Sequence, residues 1–209
     1  MALRRKQKRT DRSKLDATPP WDERIRAAPD VTSGPYDERD APDDEVLRAD
    51  LGALLIPVGG ELDLRVELNE TQQVIAATLA GAEGTMQLGV FAAPRNESIW
   101  DEVRAEIADS LKLERGDPRE RADGMFGVEL TGSVPAEGGR RVPVRFIGID
   151  GPRWFLRAML AGDAADPAKG ARMEQVLSHV VVVRGTEPLP VREPVPLKLP
   201  ADAELPGEQ

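Results

Sequence analysis

The stretch Arg141–Gly162, RVPVRFIGIDGPRWFLRAMLAG, decides how the chain folds, because its side chains alternate with the period of a strand on both sides of a turn. Val142, Val144 and Phe146 alternate with Pro143 and Arg145, and beyond the turn Trp154, Leu156, Ala158 and Leu160 alternate with Arg153, Phe155, Arg157 and Met159. Asp150-Gly151-Pro152 separates the two runs and supplies turn chemistry, glycine for backbone freedom and proline for a fixed φ. Of the chain's tryptophans and phenylalanines, Phe146, Trp154 and Phe155 all fall here, so a core is expected around this hairpin.

Upstream, Leu62, Leu64, Val66 and Leu68 alternate with Glu61, Asp63, Arg65 and Glu67, the pattern of a half-buried strand. Before it, Leu54, Leu55 and Ile56 run into Pro57, and Gly59-Gly60 makes a turn. Gln73–Leu79 and Met86–Val90 read as two more, joined by turns of hairpin length. A helix follows at Ser98, with Ser98 as the expected cap, Asp101 reaching back to it, and Ile99, Trp100, Val103, Ile107 and Leu111 forming one apolar stripe. Gly116 and Pro118 end it. Strands resume from Gly124 with Phe126, Val128 and Leu130 and continue into the hairpin. A second helix then begins with Asp166 as cap and Pro167 in the first helical position, carrying Met173, Val176, Leu177 and Val180 on one face. Val180–Val183 is a β-branched run that suits a strand buried on both faces or the exit strand of the helix.

The resulting expectation is a single α+β domain over residues 47–185, an antiparallel sheet with two principal helices packed against it and disordered termini. Residues 1–46 read as a disordered arm, basic and then acidic: prolines recur, and the apolar residues Trp21, Ile25, Val31 and Tyr36 follow no period. Residues 186–209 are punctuated by prolines at 188, 190, 194, 196, 200 and 206 and read as an extended tail.

Composition excludes several chemistries. With no cysteine, disulfides, zinc–thiolate sites and thiol nucleophiles are ruled out together. The single histidine, His179, lies at a helix–strand junction and reads as a structural residue. Glu102 and Glu106, one helical turn apart, read as an exposed face and not as a catalytic pair. The carboxylates between Asp37 and Asp50 lack the spacing and glycine of a calcium loop. No phosphate-binding loop, dinucleotide fingerprint or nucleophile elbow occurs, so no catalytic residue, cofactor or metal is expected. The net charge of -9 hides a basic start, where Arg4, Arg5, Lys6, Lys8, Arg9, Arg12 and Lys14 stand against Asp11 alone. No apolar run is long enough for a signal peptide or a membrane helix, and a cytoplasmic protein is expected, with no membrane partner.

The segments LLIPVGGELDLRVEL, FAAPRNESIWDEVRAEIA, FIGIDGPRWFLRAML and LSHVVVVRGTEPLPVREPVPLKLP resemble an uncharacterised actinobacterial family known as a domain of unknown function. The resemblance covers about Leu47 to Pro200, is carried most specifically by GPRWFLR and VVVVRG, and implies an actinobacterial source. The order of elements is also similar to the Mog1/PsbP-like α/β sandwich, whose members are frequently non-catalytic binding or assembly factors. The chain therefore reads first as a non-catalytic binding or scaffold protein with a protein partner. The second reading is a nucleic-acid-associated protein tethered weakly and without sequence preference through its basic arm, and the third is an enzyme of unknown class.

Overall fold

The computed structural model describes residues 33–69 and 73–199. In chain order the elements are β1 (Tyr36–Asp37), β2 (Arg48–Asp50), β3 (Leu54–Pro57), β4 (Asp63–Leu68), β5 (Val74–Gly81), β6 (Gly84–Ala92), α1 (Trp100–Leu113), β7 (Arg119–Gly124), β8 (Gly127–Pro135), β9 (Arg141–Gly151), β10 (Trp154–Gly162), α2 (Pro167–Leu177) and β11 (Val181–Val182). Seven strands make one antiparallel sheet in the order β4-β5-β6-β10-β9-β8-β7, and four short ones make a second sheet in the order β1-β11-β3-β2. The β9–β10 hairpin brings β10 to the centre of the large sheet, between β6 and β9. Its turn is Pro152-Arg153, and the left-handed position (φ 68°) falls on Arg153 and not on Gly151.

The two faces of β10 lead into two different cores. Trp154, Leu156, Ala158 and Leu160 pack with Leu79, Met86, Leu88 and Ile147 against Leu51, Leu54 and Ile56 of the small-sheet region and Met173 and Leu177 of α2. Phe155, one residue out of phase, packs instead with Ile99, Trp100, Leu111, Leu130, Val144 and Phe146 beneath α1. The molecule thus has three layers: α1, the large sheet, and the small sheet with α2. An α+β fold with two helices and mainly antiparallel strands is what the strand and helix periods predict. The two helices lie on opposite faces of the sheet.

Three local details differ from the sequence reading. The helix at residue 100 receives no side-chain cap from Ser98 or from any neighbour in sequence. Instead Asp150, at the end of β9, accepts the Ile99 amide at 2.9 Å and the Ser98 hydroxyl at 2.5 Å. The carboxylate still meets the positive end of the helix, but a remote strand delivers it. α2 follows the sequence reading, with Asp166 accepting from the Ala168 amide at 3.0 Å and Pro167 opening the helix. Strand β7, RERADG, carries no apolar alternation and has no counterpart in the sequence reading. It is an edge strand held by its ladder to β8, and its charges discourage pairing with other chains.

The folded region reaches beyond residues 47–185 at both ends. Tyr36 and Glu38 donate amides to Val180 and Val182 at 2.9 and 3.0 Å, adding β1 to β11 in parallel. Asp37 is buried and accepts the Trp154 indole N–H at 2.8 Å. The proline-rich segment is extended, yet it pairs with β6: Arg192 donates to Ala92 at 2.7 Å, Ala92 to Glu193 at 2.8 Å and Val195 to Val90 at 2.8 Å. Val195 and Leu197 are buried in the main core, and Lys198 donates to Leu51 at 2.8 Å. Residues 33–46 and 186–199 are therefore parts of the domain.

Candidate functional site

Two regions gather the groups that could act, one inside the molecule and one on the large sheet. The inner one is a chain of charges on the α2 side of β7, β8 and β9. Arg145 is fully buried (0% exposed), and its guanidinium lies 3.2 Å from Glu129 and 2.6 Å from Glu174 of α2, while Arg121 reaches Glu129 from the edge at 3.3 Å. Arg145 also donates to the Ala164 carbonyl at 3.3 Å. Burial raises the Glu129 carboxyl above the ordinary carboxylate range, and the neighbouring Arg145 pulls the other way. Glycines make room: a Cβ on Gly124 would lie 2.3 Å from the Glu129 carboxylate, and one on Gly170 would lie 2.3 Å from the Ala164 carbonyl and 2.9 Å from Arg145. Gly170 thus opens a helix start to a buried cation, where helix propensity alone marks it as a weak point.

This network can join α2 to the sheet, but its geometry offers no reaction. Its two acids are held by arginines, and Glu129 and Arg145 have no exposed surface from which a substrate could be met. His179, the one imidazole, sets Nδ1 2.8 Å from the Gln175 carbonyl and 3.1 Å from the Ser178 hydroxyl, while its own carbonyl accepts from Arg48 at 2.9 Å. Those are local helix-end contacts. Glu102 and Glu106 are exposed on α1, and each accepts from Arg192 at 2.6 Å. A depression of about 300 Å³ beside them is lined by Glu106, Ile107, Ser110, Leu111, Glu114, Val134 and Phe146. Another of about 450 Å³ lies among Lys112, Arg115, Asp117 and Pro118. Neither contains an imidazole to activate a nucleophile. Among the described residues no group of His, Asp and Glu side chains could hold a metal ion, and no helix is long and apolar enough to cross a membrane.

The outer region is the half of the large sheet that α1 leaves bare. α1 stands on β8 and β9, where small residues let it approach: a Cβ on Gly148 would lie 2.2 Å from the Trp100 ring, and one on Gly132 would lie 2.9 Å from Leu111. Trp100 stacks on Phe155 at 5.9 Å and donates its indole N–H to the Val128 carbonyl at 2.7 Å. On the same face, the strands from β4 to β10 carry Arg65 and Glu67, then Thr78, then Gln87 and Gly89, then Arg157, while Phe91 and Met159 mark the border where the face meets the core beneath α1. Glu67 accepts from Thr78 and Gln87 through one carboxylate oxygen, at 2.9 Å each, and among the described residues it has no cationic partner. Arg157 lies over the Phe91 ring at 5.1 Å and has no carboxylate or carbonyl within hydrogen-bonding reach among the described residues. Desolvation lowers its pKa from the ordinary arginine value, and it remains charged at neutral pH.

The seven cations proposed as a tether, Arg4, Arg5, Lys6, Lys8, Arg9, Arg12 and Lys14, lie outside the described residues. Neither the ion-unpaired Glu67 and Arg157 nor the buried network stands out in the sequence reading. The signal for Arg157 is present in GPRWFLR, an arginine at a strand position otherwise shared by Phe155 and Met159, but the side that α1 covers is not written there. A family model described as "Protein of unknown function (DUF3710)" matches residues 34–205, and the chain belongs to that family. No curated protein matches the chain.

Proposed function

Starting from that membership, we propose that this chain is a non-catalytic binding or scaffold protein and that the bare half of its large sheet is the face it offers to a protein partner. The observation that carries the reading is the combination on one face of the large sheet of an ion-unpaired carboxylate, Glu67, and an ion-unpaired guanidinium, Arg157, which lies over the half-buried ring of Phe91 at the border of the core beneath α1. Arginine and aromatic side chains are the types that anchor protein interfaces, and charges without partners on a free surface are the ones a bound protein can satisfy. Neither of the two depressions beside α1 is lined by an imidazole, and among the described residues no cluster of His, Asp and Glu side chains could hold a metal, which supports binding over catalysis. So does the likeness of the element order to the Mog1/PsbP-like sandwich. The absence of cysteine supports a cytoplasmic setting.

A photo-activated crosslinker placed at Gln87 in the full chain tests the face, with the same probe at exposed Asp109 on the outer side of α1 as control. Adducts to protein from Gln87 and few from Asp109 are expected. No protein adduct at Gln87, or equal labelling from both positions, overturns the reading. The basic arm supports a second role, a tether to nucleic acid through phosphate contacts, because its seven cations face a single acid over residues 1–14.

A further inference from the structure

The large sheet forks between β5 and β6. The two strands stay paired from Gly81 and Gly84 to Ala77 and Leu88, and beyond that point the proline-rich segment runs between them. A bulge at Ile75, the residue skipped between the pairs Glu67–Ala76 and Leu68–Val74, bends β5 just where the fork opens. On the β6 side the segment lies antiparallel: Pro194 stands opposite Phe91, the Ala92 amide donates to Glu193 at 2.8 Å and the Val195 amide to Val90 at 2.8 Å. On the β5 side an isolated bridge sets Leu197 opposite Val74. Val195 and Leu197 turn into the main core, whereas Pro194 and Pro196, whose amides would face away from β6, have no N–H to leave unpaired. The segment therefore fills the fork with one short ladder and two aliphatic side chains. At 9% and 6% exposed, those two are the least covered members of that core.

The attachments of this segment are those of a strap that opens. Gly185, at its start, has a left-handed φ of 66°, and a Cβ there would meet nothing within 4 Å. Arg192 is held at φ 70°, an unfavourable conformation for a residue with a side chain, and exposed ion pairs to Glu102 and Glu106 of α1, at 2.6 Å each, clamp it there. No element of the described fold follows the segment, so its release unravels nothing else. We infer that the fork is an acceptor for an extended segment of a partner protein in which aliphatic side chains alternate with proline, and that residues 186–199 fill it as an internal ligand that the partner's segment displaces. The ladder to β6 supplies affinity through the backbone, and the places of Val195 and Leu197 select the side chains. Tethering gives the strap a high effective concentration, which keeps the fork closed until the Arg192 clamp is loosened. The fork uses neither Glu67 nor Arg157 and is a second site beside the half-sheet.

Fluorescence anisotropy of a labelled peptide of residues 187–199, added to the full chain, tests this. Saturable binding is expected, and it should be several-fold tighter to the Arg192→Ala chain, whose own strap has lost its clamp. A peptide carrying Val195→Asp and Leu197→Asp should not bind. The chain has no cysteine, and Phe91 and Pro194 face each other at a non-hydrogen-bonded position, so Phe91→Cys combined with Pro194→Cys allows one disulfide to lock the strap in place. Oxidised, this double variant should bind no peptide; reduced, it should bind, which also shows that it is folded. Absence of binding to the parent and the Arg192→Ala chain alike, equal binding of the two peptides, or binding that the lock leaves unchanged each overturns the inference. Dimers of the Arg192→Ala chain in sedimentation velocity that the same lock abolishes would give the fork to the strap of a second copy and overturn the partner.

Discussion

Trp154 ties the N-terminal end of the domain to its centre, since it is 2% exposed in the middle strand and its indole N–H is bound by Asp37, far away in sequence. Its ring lies over Gly151, where a Cβ would stand 2.1 Å away. Trp154→Ala removes a fully packed aromatic side chain and should cost about 3–5 kcal/mol in denaturant unfolding. Trp154→Phe keeps most of the packing but removes the indole donor from buried Asp37, leaving it the Arg39 amide at 3.3 Å, and a cost of about 1–3 kcal/mol is expected. At the buried network, Arg145→Leu leaves Glu174 without its arginine and Glu129 with Arg121 alone, with an expected loss of about 3–5 kcal/mol at neutral pH. Glu129 gives this region a pH dependence with a definite sign. Its carboxyl is raised in the folded state by burial, so the folded protein holds that proton more firmly than the unfolded chain does. As pH climbs from the ordinary carboxylate range through the raised value, the parent should lose stability relative to Glu129→Gln, which does not titrate. Urea midpoints of the two proteins over the acid-to-neutral range measure it, and parallel curves would refute the assignment.

Among the elements, the ones that follow from sequence are those whose own periodicity is unambiguous. β4, β6, β8, β9 and β10 alternate, and the stripe of α1 and the Asp166-Pro167 start of α2 are readable locally. β7 is different, because an edge strand needs only the ladder to its neighbour: Glu120 faces α1 and bonds to Arg104 at 2.9 Å, while Arg121 reaches buried Glu129 on the other side at 3.3 Å. The cap of α1 is different for another reason: Asp150 lies 51 residues from the amide it accepts. Asp150→Ala should therefore destabilise the protein by about 0.5–2 kcal/mol, the usual loss for a helix cap, although it lies in no helix. β1 and the proline-rich segment look unstructured because each gains its hydrogen bonds only after β11 and β6 are in place. A chain beginning at Ser33 should unfold at the same denaturant concentration as the full chain, while one beginning at Leu51 lacks β1 and β2 and should unfold at a clearly lower one. Equal midpoints for all three would mean that β1 contributes nothing.

For the whole molecule, the same boundary decides how the arm must be tested. Removing residues up to 50 would take away both the cations and two strands, so the comparison is between the full chain and one beginning at Ser33. Each phosphate neutralised on duplex DNA contributes about -0.9 to the slope of log affinity against log salt. Fluorescence anisotropy with random-sequence duplex should show weak binding by the full chain that fades steeply toward physiological salt, and none by the shorter one. Binding that ignores salt, prefers one sequence or survives the truncation would rule the tether out.

The sequence by itself determined the class of the fold, the hairpin at its centre, both helices and the chemistries it lacks, because alternation, capping residues and composition are local properties. Only the tertiary structure decided which face of each strand met α1 and which met α2. That choice buried Arg145 with Glu129 and left Arg157 and Glu67 uncovered, since the area a helix shields depends on where Gly148 and Gly132 allow it to settle. The small second sheet was likewise decided in three dimensions, because β1, β2, β3 and β11 are too short to hold together until the large sheet supplies the surface on which they close the core.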